Sequence, residues 1–180
     1  MTASIRLFTF AAPSRFYALT GTLIPWLWGL PPNDRRYYPI YAACVEAGVP
    51  FCTQIGHTGP LRSSETGRLI PYLEDVLLDF PELTVVGGHV GFPWLDELMS
   101  LTFKFPNLHV DTSAYALHRL PPAFVQWMKG AGSTRVMFGT NWPMLSHQRC
   151  LEGLAALELP DDKRQAFLAG NARRVFALDR

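Results

Sequence analysis

Short apolar runs alternate with longer amphipathic stretches along the chain from residue 20 onward. The short runs are rich in β-branched and aromatic side chains, which favour strands. We predict strands at residues 22–24, 50–55, 83–87, 108–111 and 135–138. Each strand start lies roughly 25 to 33 residues after the previous one, which leaves room for a crossover helix between parallel strands. The pattern therefore predicts five βα units.

The segments between these strands show helical patterns with recognisable ends. We predict helices at residues 38–47, 70–79, 94–103, 147–157 and 161–169, a helix that opens at Pro121-Pro122 and ends near Gly130, and a last short one in "NARRVFAL". Gly48 stands at a C-cap position, and Gly170-Asn171 give a stop signal. Repeated βα units indicate a parallel sheet covered by helices, which is either open or closed into a barrel.

If this α/β fold is a barrel, the number of units makes it an incomplete (β/α)8 TIM barrel. A complete barrel takes about 250 residues, whereas the whole chain has 180. We expect residues 20–180 to form this partial barrel and residues 1–19 to be irregular.

Composition narrows the class of protein. Apolar residues make up 48% and charged residues 17% of the chain, as in a soluble globular protein. The net charge is +1 and no Lys/Arg-rich run occurs, which argues against nucleic acid or a membrane as a partner. The three cysteines show no C-x-x-C spacing, so we expect reduced thiols and a cytoplasmic protein.

Three predicted strands are followed by polar groups that suit a reactive site. His57 follows the second strand in "QIGHTGP", His89 follows the third in "VVGGHVGFPW", and Asn141 follows the last in "RVMFGTNWPM". The carboxyl ends of parallel strands meet on one rim, so we expect these side chains to share it. Two imidazoles on one rim can bind a divalent metal such as zinc. Either histidine can instead be a hydrogen-bonded structural residue.

Other side chains near the strand ends are candidates for contact with a small molecule. Asp111 ends the fourth strand, where it can contact substrate, orient a histidine or cap the following turn. Five aromatic residues lie just past strand ends and can line an apolar pocket: Trp26, Trp28, Phe92, Trp94 and Trp142. Simple core packing is the alternative for each aromatic residue.

Four segments, taken in order, make the sequence resemble a known family. They are "PELTVVGGHVGFPWLDE", "NLHVDTSAY", "RVMFGTNWPM" and "FLAGNARRVFAL". Together they resemble the amidohydrolase-related family, in the branch of the aminocarboxymuconate-semialdehyde decarboxylase-like and resorcylate decarboxylase-like proteins. The resemblance implies a (β/α)8 barrel with a divalent metal, for which we expect zinc, at its carboxyl rim. It also implies metal-dependent hydrolysis or non-oxidative decarboxylation of a small carboxylic acid or related substrate.

The resemblance assigns roles to residues at the rim. The family's metal usually takes a His-x-His pair from the first strand, a His from the fifth and an Asp from the eighth. By motif, His57 matches the fifth-strand metal ligand, His89 matches a catalytic histidine after the sixth strand, and Asn141 falls on the aspartate position. The five predicted strands then correspond to the fourth to eighth of the barrel.

Two departures from the family pattern affect the metal. Residues 1–50 contain no H-x-H or E-x-H, so the first-strand ligands are absent there. Asn141 carries an amide, which is a weak oxygen ligand and cannot accept a proton at neutral pH. The metal is therefore a cofactor that this chain can lack, and the chain resembles the C-terminal part of the family fold.

Three functions remain open on these residues. The first is a metal-dependent hydrolase or decarboxylase, active only if another chain supplies the missing strands. The second is a non-catalytic module that binds a small carboxylate on an aromatic rim. The third is an inactive fragment without independent function.

An incomplete barrel leaves strand edges and apolar interior surface uncovered, so we predict self-association through the barrel edges. We expect light scattering of the purified protein at high concentration to show oligomers or aggregates. A monodisperse monomer under the same conditions would contradict this expectation.

Overall fold

The computed structural model describes residues 21–178, with side chains from residue 24. Five parallel strands form one sheet in the order β1-β2-β3-β4-β5 within this range. The strands are β1 (Gly21–Leu23), β2 (Phe51–Gln54), β3 (Val85–Gly88), β4 (Leu108–Asp111) and β5 (Val136–Met137). The predicted irregular segment at residues 1–19 lies outside the described residues.

Helices alternate with the strands along the described chain. The α-helices are α1 (Pro25–Trp28), α2 (Tyr38–Ala47), α3 (Tyr72–Asp79), α4 (Leu95–Lys104), α5 (Pro122–Lys129), α6 (His147–Leu151), α7 (Asp161–Gln165) and α8 (Asn171–Val175). Short 3-10 helices occupy Arg35–Tyr37, Glu65–Gly67, Leu117–Arg119 and Ala155–Leu157, and a π-helical turn at Ala166–Gly170 joins α7 to α8.

The hydrophobic core lies between one face of the sheet and the helices that cover it. Phe51, Val85 and Val110 point from three neighbouring strands into this core and are fully buried. On the helix side, α3 buries Leu73 and Val76, which are spaced to share one face. Alternate residues of each strand point the other way, towards what would be the interior of a closed barrel.

The predicted α/β fold, a partial TIM barrel, is confirmed, and most predicted elements lie within a few residues of their expected bounds. Helix α2 has the predicted bounds, and Gly48 ends it in the left-handed conformation at φ 63°. Its N–H donates to the carbonyls of Cys44 and Val45. Strand β5 is shorter than predicted and covers only Val136–Met137.

Two predictions near the end of the described chain are wrong. The helix predicted at residues 147–157 ends at Leu151, because Glu152 has an extended ψ of 126°. Gly153 follows with φ 87°, and a Cβ there would lie 2.8 Å from the Cβ of His118. The predicted stop at Gly170-Asn171 does not end the helical path, because both residues have helical backbone angles. Asn171 is instead buried, and its amide donates to the carbonyls of Ser133 and Val136, each at 2.8 Å.

The sheet is open within the described residues. Strand β1 pairs only with β2, and β5 pairs only with β4, in that range. Self-association through these edges stays a prediction. Among residues 21–178, none of the helices has the length and apolar character needed to span a membrane.

His109 is a buried titratable group on the inner face of β4. The residue is 8% exposed, and its Nδ1 has no hydrogen-bond partner in the described structure. Burial, reinforced by the charges of Arg135 and Arg174, lowers the pKa of His109 to about 4 from its ordinary 6.5. The folded protein therefore binds fewer protons than the unfolded chain between these two pH values.

We expect this histidine to make the fold sensitive to acid. The contribution of the neutral His109 to the free energy of unfolding is complete above pH 6.5. It is lost as the pH falls towards 4, and the loss reaches roughly 3 kcal/mol. Urea unfolding at several pH values measures this slope, which His109→Met should reduce. His147→Met, at an exposed site, is the matched control. An unchanged slope in His109→Met would contradict the expectation.

Candidate active site

The carboxyl ends of the strands open into a cavity of about 680 Å³. Gln54 of β2, Gly88 of β3 and Asp111 of β4 contribute to its wall. The register pairs Gln54 with Gly88, so the inner face of the sheet forms the floor of the cavity. Because Gly88 has no side chain, the floor is open between its two polar neighbours.

His57, His89 and Asn141 all line this cavity. Each lies just beyond a different strand, β2, β3 or β5. The parallel sheet thus brings together three side chains that are far apart in sequence. Their roles, His57 as a metal ligand and His89 and Asn141 as catalytic residues, stay predictions.

His57 is held in place by one backbone oxygen on the neighbouring loop. The Phe92 carbonyl accepts the His57 backbone N–H at 2.8 Å and lies 3.2 Å from Nδ1 of its ring. A carbonyl oxygen can only accept, so Nδ1 carries the proton in this contact. In the neutral ring, Nε2 is then the nitrogen with a free lone pair.

Gly56 makes this contact between the two loops possible. Its φ is 84°, and a Cβ there would lie 2.6 Å from the Phe92 carbonyl oxygen. The Gly56 N–H donates to the carbonyl of Gly67 at 2.8 Å, which anchors the loop on its other side. Glycine is therefore required both by the backbone angle and by the space.

His89 sits on a strained turn after β3. His89, Val90 and Gly91 all have positive φ, at 73°, 64° and 76°. This conformation is unfavourable for a β-branched residue such as Val90. Val90 is fully buried in the core and its N–H donates to the Asp111 carbonyl at 3.2 Å, which offsets the strain.

The surroundings of His89 favour its neutral form. Burial lowers the pKa of His89, the charge of Asp111 opposes that shift, and His57 adds to it. A neutral imidazole has one donor and one acceptor nitrogen, so His89 can both donate and accept a hydrogen bond.

Asp111 and Asn141 complete the polar wall near β4 and β5. The Oδ1 atom of Asp111 accepts the N–H of Ser113 at 2.8 Å, so the predicted turn-capping role is observed. Contact of Asp111 with substrate stays a prediction. Asn141 is exposed at φ 60°, a conformation that asparagine tolerates better than most residues, and its amide lies 3.8 Å from the sulfur of Met144.

Of the aromatic residues proposed from sequence, Trp26 lines the cavity and the other four do not. Trp28, Phe92 and Trp142 are exposed and are not among the residues that line the cavity. Phe92 makes an edge contact with the His57 ring, at 5.8 Å between ring centroids. The substrate-binding role of all three stays a prediction.

Three cavity residues escaped the sequence analysis as site candidates. Gln54, Tyr115 and Arg119 line the wall. Gln54 was missed because site residues were expected just past the strand ends, whereas Gln54 is the last residue of β2. Arg119 follows β4 by eight residues in a 3-10 helix, and no motif marks it.

The residues present do not fit a complete metal site. In the part of the chain that the structure describes, no group of three or more His, Cys, Asp or Glu side chains is arranged to hold a metal ion. The cavity is lined by two imidazoles, the Asp111 carboxylate, the Cys52 thiol and the Asn141 amide, but they are not arranged as the three protein ligands that structural and catalytic metal sites use. A metal here would need ligands from outside the described residues.

The fold and the rim cavity define an α/β protein of the TIM-barrel type, with five of the barrel's parallel strands described. The family model of the amidohydrolases matches residues 19–178. The chain therefore belongs to the amidohydrolase family. No curated protein matches the sequence.

Solved structures share this fold over most of the chain. An uncharacterized TIM-barrel protein of Bordetella bronchiseptica is 32% identical, with a TM-score of 0.77 over 88% of this chain. 5-Carboxyvanillate decarboxylase of Sphingomonas paucimobilis is 19% identical, with a TM-score of 0.57 over 82% of this chain. A dihydroxybenzoic acid decarboxylase of Polaromonas, solved with manganese and the inhibitor 2-nitroresorcinol, is 16% identical, with a TM-score of 0.59 over 84% of this chain.

The chain spans little more than half the length of these structures. It covers 57% of the Bordetella protein, 55% of the Sphingomonas enzyme and 56% of the Polaromonas enzyme. The two decarboxylases are similar enough to establish the fold but not the reaction.

Replacing Gly56 should disturb the loop that carries His57. We expect Gly56→Ala to lower the free energy of unfolding by about 3 kcal/mol, since it combines backbone strain with a clash against the Phe92 carbonyl. Gly48→Ala is the matched control, because Gly48 also has a positive φ but no atom within 4 Å of an added Cβ. It should cost about 1 kcal/mol. Equal losses in urea unfolding would contradict the close approach.

Proposed function

We propose that this chain carries part of the site of a metal-dependent hydrolase or non-oxidative decarboxylase, and that its rim cavity binds a small carboxylic acid. We further propose that the described residues bind the acid without turning it over. The observation that carries this proposal is a cavity with a cation and two imidazoles but no third His, Cys, Asp or Glu placed to hold a metal.

Arg119 is the group best suited to hold the carboxylate. It is exposed at the cavity wall, and no carboxylate pairs with its guanidinium within residues 24–178. A guanidinium presents two parallel N–H groups that match the two oxygens of a carboxylate. The cavity volume of about 680 Å³ is in the range of small-molecule sites.

The remaining polar groups suit the neutral part of such a ligand. Burial raises the pKa of Tyr115, so its hydroxyl stays protonated and can donate a hydrogen bond. Burial lowers the pKa of His89, which favours the neutral ring, and a neutral imidazole can donate or accept a hydrogen bond. These groups can orient an acid through hydrogen bonds, whereas Asn141 cannot replace an aspartate as a base.

The choice between hydrolysis and decarboxylation, and the expected zinc, belong to this proposal. Two of the similar structures are decarboxylases, and one holds manganese, which supports metal-dependent chemistry in the family. We propose that the protein acts in the cytoplasm, which the three free cysteines support.

Binding of benzoate, measured by isothermal titration calorimetry, tests the proposal. We expect Arg119→Ala to raise the Kd roughly 10- to 100-fold through loss of a charge-assisted hydrogen-bond pair, and Arg119→Lys to raise it less. Arg164→Ala is the matched control, because Arg164 pairs with Asp161 outside the cavity wall.

The same titration in the presence of a chelator separates binding from metal chemistry. We expect an unchanged Kd, and no product from the acid after long incubation. Absence of benzoate binding to the wild-type protein, or equal effects of the Arg119 and Arg164 substitutions, would overturn the carboxylate site. Turnover that depends on added zinc would overturn the proposal that the chain by itself only binds.

A further inference from the structure

Trp26 lines the rim cavity, and its indole is half-buried. It lies in α1, directly after β1. Its Nε1 donates to the Oε1 of Gln54 at 2.5 Å. The side chain of Gln54 therefore fixes one edge of the indole at the wall of the cavity.

Gln54 also contacts the loop that carries His57. Its Nε2 lies 3.5 Å from the His57 carbonyl oxygen, which accepts a long hydrogen bond. The amide of Gln54 therefore holds both the Trp26 indole and the backbone carbonyl of His57. One side chain on the floor of the cavity links the aromatic wall to the histidine loop.

The position of Gln54 in the sheet explains why it can serve both partners. Its register partner on β3 is Gly88, which leaves the space beside the Gln54 side chain free. An indole N–H that is half-buried needs an acceptor, and among the described residues Gln54 supplies it. Without that acceptor, the indole loses the contact that sets its orientation.

A cation stands next to the same indole. The guanidinium carbon of Arg62 lies 6.0 Å from the centroid of the Trp26 ring, within the range of a cation–π contact. Arg62 is exposed, and the neighbouring Pro60 and Gly59 line the cavity. The indole is therefore held at its N–H edge by Gln54 and is attracted to a positive charge from the loop after β2.

We propose that Trp26 determines specificity for planar acids at the rim cavity, and that Gln54 is the positioning residue that sets the indole for this contact. This inference rests on the proposed carboxylate site and adds the shape of the ligand to it. A flat ring can stack on an indole, and such aromatic pairs gain about 0.5–1.5 kcal/mol beyond the area that they bury. A puckered ring of the same size and charge cannot stack in this way.

Competing acids of equal charge test the role of Trp26. We expect the wild-type protein to bind benzoate roughly fivefold more tightly than cyclohexanecarboxylate, measured by titration calorimetry. Trp26→Leu should bring the ratio of the two Kd values close to one, whereas Trp26→Phe should keep most of the preference. Phe103→Leu, which removes an exposed aromatic ring outside the cavity wall, is the matched control.

The role of Gln54 is tested by a conservative pair of substitutions. Gln54→Glu keeps an oxygen acceptor for the indole N–H, and Gln54→Met removes it at similar length. The ratio of the two Kd values should survive in Gln54→Glu and fall in Gln54→Met, even if the added charge weakens both acids. In a ¹H–¹⁵N spectrum, the Trp26 indole N–H signal is identified by its absence from Trp26→Phe. This signal should move upfield in Gln54→Met and stay near its place in Gln54→Glu.

The outcomes separate this inference from the proposed function. If both acids bind the wild-type protein equally well, or Trp26→Leu keeps the wild-type ratio, specificity through Trp26 is overturned while the carboxylate site stands. If neither acid binds, the carboxylate site fails and the specificity fails with it. An indole signal that does not move in Gln54→Met overturns the positioning role even where the ratio changes.

Discussion

The parallel register of β2, β3 and β4 is the constraint on which the rim cavity depends. Pairing of Gln54 with Gly88, and of Gly87 with Val110, determines which residues share the inner face. A slip by one residue would turn Asp111 into the helix-covered core and Val110 towards the cavity. Burial of the apolar side chains on the outer face makes such a slip costly, so the core of the sheet also fixes the floor of the site.

Backbone contacts between loops then place the imidazoles. The Phe92 carbonyl holds both the N–H and the ring of His57, and the Val90 N–H holds the turn of His89 against β4. Among residues 24–178, no three His, Cys, Asp or Glu side chains are grouped to hold a metal ion. The histidines are thus positioned by the fold, and their chemistry depends on what else enters the cavity.

Membership of the amidohydrolase family and the chemistry of this site are separate questions. The fold is shared with decarboxylases at low sequence identity, and one fold can carry many reactions. The groups that decide a reaction are the individual side chains at the rim. At this rim they include the two histidines His57 and His89, the carboxylate of Asp111, the cation of Arg119 and the amide of Asn141.

Spacing and local chemistry in the sequence determined the βα order, the bounds of α2 with its Gly48 cap, and the presence of His57, His89 and Asn141 just beyond strand ends. These features depend on residues that are close in the sequence, so they can be predicted from the sequence alone. Tertiary structure alone decided that the helical path continues through Asn171, because that side chain caps carbonyls 35 and 38 residues away.

Tertiary structure also decided which aromatic residue faces the cavity. Trp26 and Trp28 are two residues apart on a short helix, and the sequence offers no reason to prefer either. The indole of Trp26 is selected by an acceptor on β2, Gln54, which lies 28 residues further along the chain. Contacts between distant segments depend on the packing of the whole sheet, which local pattern does not contain.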